Sequence, residues 1–118
     1  MLITHMLKSG DHILCVDDVY GGTGRYFQKI AEPVYNMKTT LVDMSDLDSI
    51  TDAVTEHTKL LWLETPTNPL LKCFDIKAIS EICKKNDIIF VVDNTFMTSV
   101  NQRPLDHGAD IVMQSVTK

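Results

Sequence analysis

The chain has 118 residues, 44% hydrophobic and 23% charged, the composition of one globular domain and not of a disordered or multidomain chain. Lys and Arg total 11 against 16 Asp and Glu, a net charge of −5, which argues against a general nucleic-acid binder. No apolar run is long enough to span a membrane, and residues 1–10 lack the charged and apolar regions of a secretion signal, so the expected compartment is the cytoplasm. Cys15, Cys73 and Cys83 are scattered, as are His5, His12, His57 and His107. Neither set has disulfide or metal-ligand spacing; three reduced thiols in or near a core, and no metal site, are expected.

Met1 to Lys8 reads as a helix, stopped by Ser9-Gly10-Asp11. Ile13 to Val16 is a buried-strand pattern ending at Asp17-Asp18. Val19-Tyr20 leads into a glycine-rich loop, Gly21-Gly22-Thr23-Gly24, after which Tyr26, Phe27 and Ile30 fall at helical spacing. Thr39 to Val42 is a second strand. Ser45-Asp46-Leu47-Asp48 reads as a helix start with an acid three residues after the cap, and Leu47, Ile50 and Val54 share one face of that helix. Leu60 to Leu63 is a third strand, stopped at Glu64-Thr65-Pro66-Thr67-Asn68-Pro69, where two prolines forbid further pairing. Ile76, Ile79, Ile82 and Cys83 form the inner face of another helix, with Lys84 and Lys85 at its negative end. Ile88 to Val92 and Ile111 to Met113 complete the strands.

Strands alternating with helices imply parallel pairing, and continuously apolar strands imply helices on both faces. The expected fold class is therefore α/β, a three-layer sandwich around a mostly parallel sheet. Ligands in such sheets bind beyond the carboxyl ends of the strands. That rule selects Asp17 to Tyr20, Glu64 to Asn68, Asp93 to Thr95 and Gln114 to Lys118. The glycine run lacks the Lys-Ser/Thr of a phosphate loop, and Phe27 stands where a dinucleotide fingerprint needs its third glycine. No G-x-S-x-G elbow is present. The order Asp17-Asp18, Glu64, Thr95, Lys118 also follows that of a response-regulator receiver, a non-catalytic alternative, although Glu64 is not the usual phosphoryl acceptor.

Asp93 ends the most apolar strand, and Lys118 follows the next short one. A deprotonated lysine amine forms a Schiff base with an aldehyde, and a buried carboxylate holds a proton on a pyridine nitrogen, making the ring an electron sink. That pair is what a pyridoxal phosphate enzyme requires. Ser115 and Thr117 offer hydroxyls and backbone N–H groups to a phosphate, Tyr20 a ring to lie on the cofactor, and Asn68 a donor to its phenolic oxygen. Taken singly, each residue reads as readily as a turn cap, a strand-end hydroxyl, a packed loop aromatic or a solvated terminal side chain.

The wording of the segments adds to the spacing. Ser9-Gly10-Asp11, Asp17-Asp18-Val19-Tyr20-Gly21-Gly22-Thr23, Glu64-Thr65-Pro66-Thr67-Asn68-Pro69, Val91-Val92-Asp93-Asn94-Thr95-Phe96-Met97, Gln102-Arg103-Pro104-Leu105, Gly108-Ala109-Asp110 and Ser115-Val116-Thr117-Lys118 together resemble the pyridoxal phosphate enzymes of cysteine and methionine metabolism, over essentially the whole chain. The resemblance departs at Thr98-Ser99-Val100-Asn101, where relatives often carry a proline and aromatics. It implies a type I aminotransferase-like fold, with residues 1–118 as part of its large, cofactor-binding domain, truncated at both ends. It implies pyridoxal 5'-phosphate as cofactor, bound by Lys118, Asp93, Ser115, Thr117, Tyr20 and Asn68, with Lys118 and Tyr20 as the catalytic pair. It further implies a parent that cleaves cystathionine to cysteine, 2-oxobutanoate and ammonia, or runs a related gamma-synthase or methionine-cleaving reaction, as a homotetramer that acts on a small-molecule amino-acid substrate and binds neither nucleic acid nor membrane. The 118 residues alone are expected to be inactive.

Overall fold

The computed structural model describes residues 2–118. Five strands, β1 (His12–Val16), β2 (Lys38–Val42), β3 (Thr58–Glu64), β4 (Ile89–Asp93) and β5 (Ile111–Met113), form one sheet in the order β2-β1-β3-β4-β5. Every neighbouring pair is parallel. The chain leaves β1 toward β2 and returns across it to β3, so the strand order reverses between β1 and β3. A crevice opens at the carboxyl ends there.

The period of two along each strand sorts the apolar residues into two cores. Leu14, Val16, Leu61, Leu63, Phe90 and Val92 pack with Ile50 of α4 (Leu47–Ala53) and with Ile76, Ile79 and Cys83 of α5 (Ile76–Lys85). Ile13, Cys15, Leu60, Trp62 and Val91 pack on the other face with Leu7, Phe27 and Ala31. Leu7 follows α1 (Leu2–Met6). Phe27 and Ala31 belong to a continuous helical run made of α2 (Gly21–Tyr26), a π-helical segment (Phe27–Ala31) and α3 (Glu32–Tyr35). The three layers expected from the continuous apolar strands are therefore present. Each fully buried Leu, Ile, Val or Phe contributes roughly 1.5–3 kcal/mol to this arrangement.

Several local expectations are corrected. The first helix spans Leu2–Met6; the expected start at Met1 lies outside the described residues. The glycine run is not a loop but the opening of α2. A Cβ at Gly22 would sit 2.6 Å from Tyr20 Cε1 and one at Gly24 3.3 Å from Val19 Cγ1, so these positions are glycine for room. The π-helical segment precedes Pro33, which has no N–H for the carbonyl four residues back. At α4 the cap is Asp46, not Ser45. Asp46 accepts the Asp48 N–H at 3.1 Å and the Ser49 hydroxyl at 2.7 Å, while the Ser45 hydroxyl is drawn to Asp43 at 2.7 Å. Leu47 is exposed, so Ile50 alone of the expected face is fully buried. Cys15 and Cys83 are buried free thiols, whereas Cys73 is exposed. Two short elements, α6 (Thr98–Asn101) and a 3-10 turn (Pro104–His107), were not foreseen.

Strand parity also sets the site. Glu64 continues the face of Leu60 and Trp62, and Asp93 that of Val91, so both acids leave the sheet on the α2 side. Glu64 and Asp93 are register partners across β3 and β4.

Candidate active site

Beyond these carboxyl ends lies a cleft of about 530 Å³, within the usual range for a small-molecule site. Tyr20, Asn68, Asp93, Ser115, Thr117 and Lys118 all line it. The six residues selected from the sequence thus come from four separate strand ends and meet at one place. Among the described residues, no other lysine lines the cleft.

Asp93 is 6% exposed. Its Oδ1 accepts the Thr95 N–H at 3.0 Å and the Thr95 hydroxyl at 2.6 Å. Its Oδ2 takes no hydrogen bond from the described residues and stays open to a donor in the cleft. The Ser115 and Thr117 hydroxyls lie 2.9 Å apart. The expectation that the Ser115 amide serves a phosphate is corrected, because that N–H donates to Thr95 Oγ1 at 3.0 Å. Tyr20 is 51% exposed, and Lys118 is exposed.

Two loops carry Tyr20 and Asn68, and acidic side chains fasten them together. Asp17 pairs with the Lys72 ammonium at 3.2 Å. Asp18 Oδ2 accepts the Leu70 N–H at 3.1 Å. Glu64 Oε2 accepts the Tyr20 N–H at 2.8 Å. The Asp17-Asp18 pair is therefore a loop clamp, and neither residue lines the cleft. Burial pushes the Glu64 carboxyl up to about 7, against the pull of the Tyr20 amide and with the Asp93 charge adding to the rise. Beneath it, burial and the nearby acids raise the Cys15 thiol, which keeps it protonated and inert.

Sequence reasoning missed the tasks of Thr95 and Glu64. Glu64 carried one signal, a charged residue continuing the buried parity of Leu60 and Trp62; Thr95 stood two residues after Asp93. The set fits pyridoxal phosphate: a carboxylate oxygen on the cleft wall without a protein donor, paired hydroxyls, an exposed aromatic residue and one lysine. Such an arrangement can hold a cationic heterocycle, bind its phosphate and present an amine to its aldehyde.

Comparison with known proteins agrees. The family described as Cys/Met metabolism PLP-dependent enzyme matches residues 1–118. The chain is 55% identical over 116 residues to a cystathionine gamma-lyase of Dictyostelium discoideum, covering 98% of this chain and 30% of that protein. It is 54% identical over 117 residues to the Homo sapiens cystathionine gamma-lyase, covering 98% and 29%. Among solved structures, cystathionine gamma-lyase from Lactobacillus plantarum complexed with L-serine superposes with a TM-score of 0.93 at 42% identity, over 96% of this chain and 29% of that one. The metB structure from Corynebacterium glutamicum gives a TM-score of 0.95 at 40% identity, over 99% and 30%. The chain thus spans under a third of the length of these relatives. The family match sets aside the receiver alternative, whose strand order this sheet shares.

Proposed function

Because the chain belongs to the family of Cys/Met metabolism PLP-dependent enzymes, we propose that its cleft is the cofactor-binding part of an active site that cleaves a carbon–sulfur bond in an amino acid. The observation that carries this reading is the meeting of Asp93 and Lys118, from the ends of β4 and β5, on the wall of one cleft. Residues 1–118 are then part of the large domain of a longer protein.

Asp93 Oδ2 would accept a hydrogen bond from the N–H of a protonated ring nitrogen and would keep that proton in place. The Ser115 and Thr117 hydroxyls donate to phosphate oxygens. Asn68 would donate its side-chain amide to the phenolic oxygen, and the Tyr20 ring would shield the cofactor from water. Lys118 Nζ would hold the cofactor through its aldehyde and would carry protons between substrate carbons. The bound cofactor supplies the electron sink that no protein side chain offers.

The substrate proposed is cystathionine, which with one water gives cysteine, 2-oxobutanoate and ammonia as the bond from sulfur to the four-carbon half breaks. The names of the relatives support this choice. The proposed setting is a cytoplasmic homotetramer; among the described residues, no helix is long and apolar enough to cross a membrane. The isolated 118 residues are proposed to be inactive, since the segment carrying Lys118 is loosely packed, with Val116 96% exposed.

The test is product analysis with the longer protein. Cystathionine should yield cysteine and 2-oxobutanoate in equal amounts. Consumption of methionine or of an activated homoserine ester, with cystathionine untouched, would move the chain to another reaction of the family.

A further inference from the structure

Besides Asp93, Glu64 is the buried carboxyl group on the cleft wall, and the chemistry proposed above leaves it without a task. It stands at the carboxyl end of β3, on the side of the crevice facing the loop that carries Tyr20. Its Oε2 accepts the Tyr20 backbone N–H at 2.8 Å. That contact crosses from β3 to the turn after β1. Tyr20 is the N-cap of α2 yet makes no side-chain cap. Its ring leans over the first turn of the helix, close enough that a Cβ at Gly22 would meet Tyr20 Cε1 at 2.6 Å. Two features thus fix this aromatic: the bare glycine gives the ring its seat, and the Glu64 oxygen gives its backbone an anchor.

We propose that Glu64 is a positioning residue, whose carboxyl oxygen holds the Tyr20 amide and thereby sets the height and tilt of the phenol ring over the cleft. Asp17 and Asp18 tie the same loops to Lys72 and Leu70, but neither reaches Tyr20. What the hold requires is an acceptor oxygen, not a charge, so glutamine serves in its place. The inference rests on the cofactor reading for what the ring meets; the hold itself belongs to the polypeptide.

The experiment compares Glu64→Gln and Glu64→Met with the unaltered protein, each first checked by thermal melting. Two quantities are read: hydrogen exchange at the Tyr20 amide without cofactor, and the visible circular dichroism of added pyridoxal phosphate, which reports ring placement. Glu64→Gln should match the unaltered protein in both. Glu64→Met should exchange the Tyr20 amide roughly tenfold faster, the loss of one hydrogen bond of about 1.4 kcal/mol, and lose most of the dichroism while still binding cofactor. Should Glu64→Met fail to melt cooperatively, Glu64→Ala carries the same arms. Unchanged exchange in the variant without an acceptor overturns the proposal. So does equal loss in Glu64→Gln, which would assign the task to charge. An unaltered protein with no visible dichroism would refute the cofactor reading instead, and the exchange result would still decide the hold.

Discussion

Thr95 gives both of its donors to Asp93, the N–H at 3.0 Å and the hydroxyl at 2.6 Å, and both go to the same oxygen. The hydroxyl oxygen in turn accepts the Ser115 N–H at 3.0 Å. One threonine therefore aims the carboxylate proposed for the ring nitrogen and ties it to the turn proposed for the phosphate. Bonds to a charged group stabilise by about 1.5–3 kcal/mol.

Thr95→Val removes the hydroxyl and strands the Ser115 amide. Pyridoxal phosphate affinity should fall by roughly tenfold or more, while Thr95→Ser should stay close to the unaltered value. Equilibrium titration of the cofactor absorbance checks both.

Gly22→Ala sets stability and site against each other. The added methyl favours helix by up to about 1 kcal/mol but meets the Tyr20 ring at 2.6 Å, so the ring must swing away. The melting temperature should hold or rise, and cofactor affinity should drop by roughly tenfold. Parallel melting and titration separate the two effects.

Asp75→Ala tests the opposite side of the sheet. Asp75 caps α5 by accepting the Ala78 N–H at 3.0 Å. Its loss should cost about 1 kcal/mol, read as a lower urea midpoint. Cofactor affinity should be unchanged, since α5 packs on the face away from the cleft.

Glu64 and His12 oppose each other in the pH dependence of stability. Glu64 titrates at about 7 in the folded protein against 4.5 unfolded, so folding takes up a proton between those values. The stability it contributes is complete below pH 4.5 and is lost as pH rises through about 7. His12 is buried, bonded through both ring nitrogens to Thr58 and Thr40 at 2.8 Å, and burial lowers its pKa below 6.5, helped by the Lys38 charge. Its contribution is complete above 6.5 and is lost as pH falls below it. Urea midpoints against pH should show the downward slope between pH 4.5 and 7 disappear in Glu64→Gln, leaving the rise that His12 produces.

The strands were legible because β1, β3 and β4 are covered on both faces, which leaves unbroken apolar runs such as Ile89 to Val92. Asp93 was legible because a charged residue ends such a strand; Lys118 lies beyond the half-buried β5, and its place in the cleft was expected from the resemblance. Thr98–Asn101 and Pro104–His107 were not legible, since a single turn has no period to read. The opening of α2 escaped because three glycines argue against helix by propensity; the Tyr20 and Val19 contacts explain Gly22 and Gly24, while nothing crowds Gly21. The tasks of Glu64 and Thr95, though not their place at the strand ends, escaped for a related reason. Their bonds run to Tyr20 and Ser115, partners set by the sheet order and not by nearby sequence.

The most direct test of the central claim is borohydride reduction of the protein in the presence of pyridoxal phosphate, followed by peptide mapping. The account predicts a visible absorbance band that reduction abolishes, with the cofactor then fixed on Lys118, the lysine on the cleft wall. Cofactor fixed on Lys72, Lys84 or another surface lysine, with Lys118 unlabelled, would contradict it.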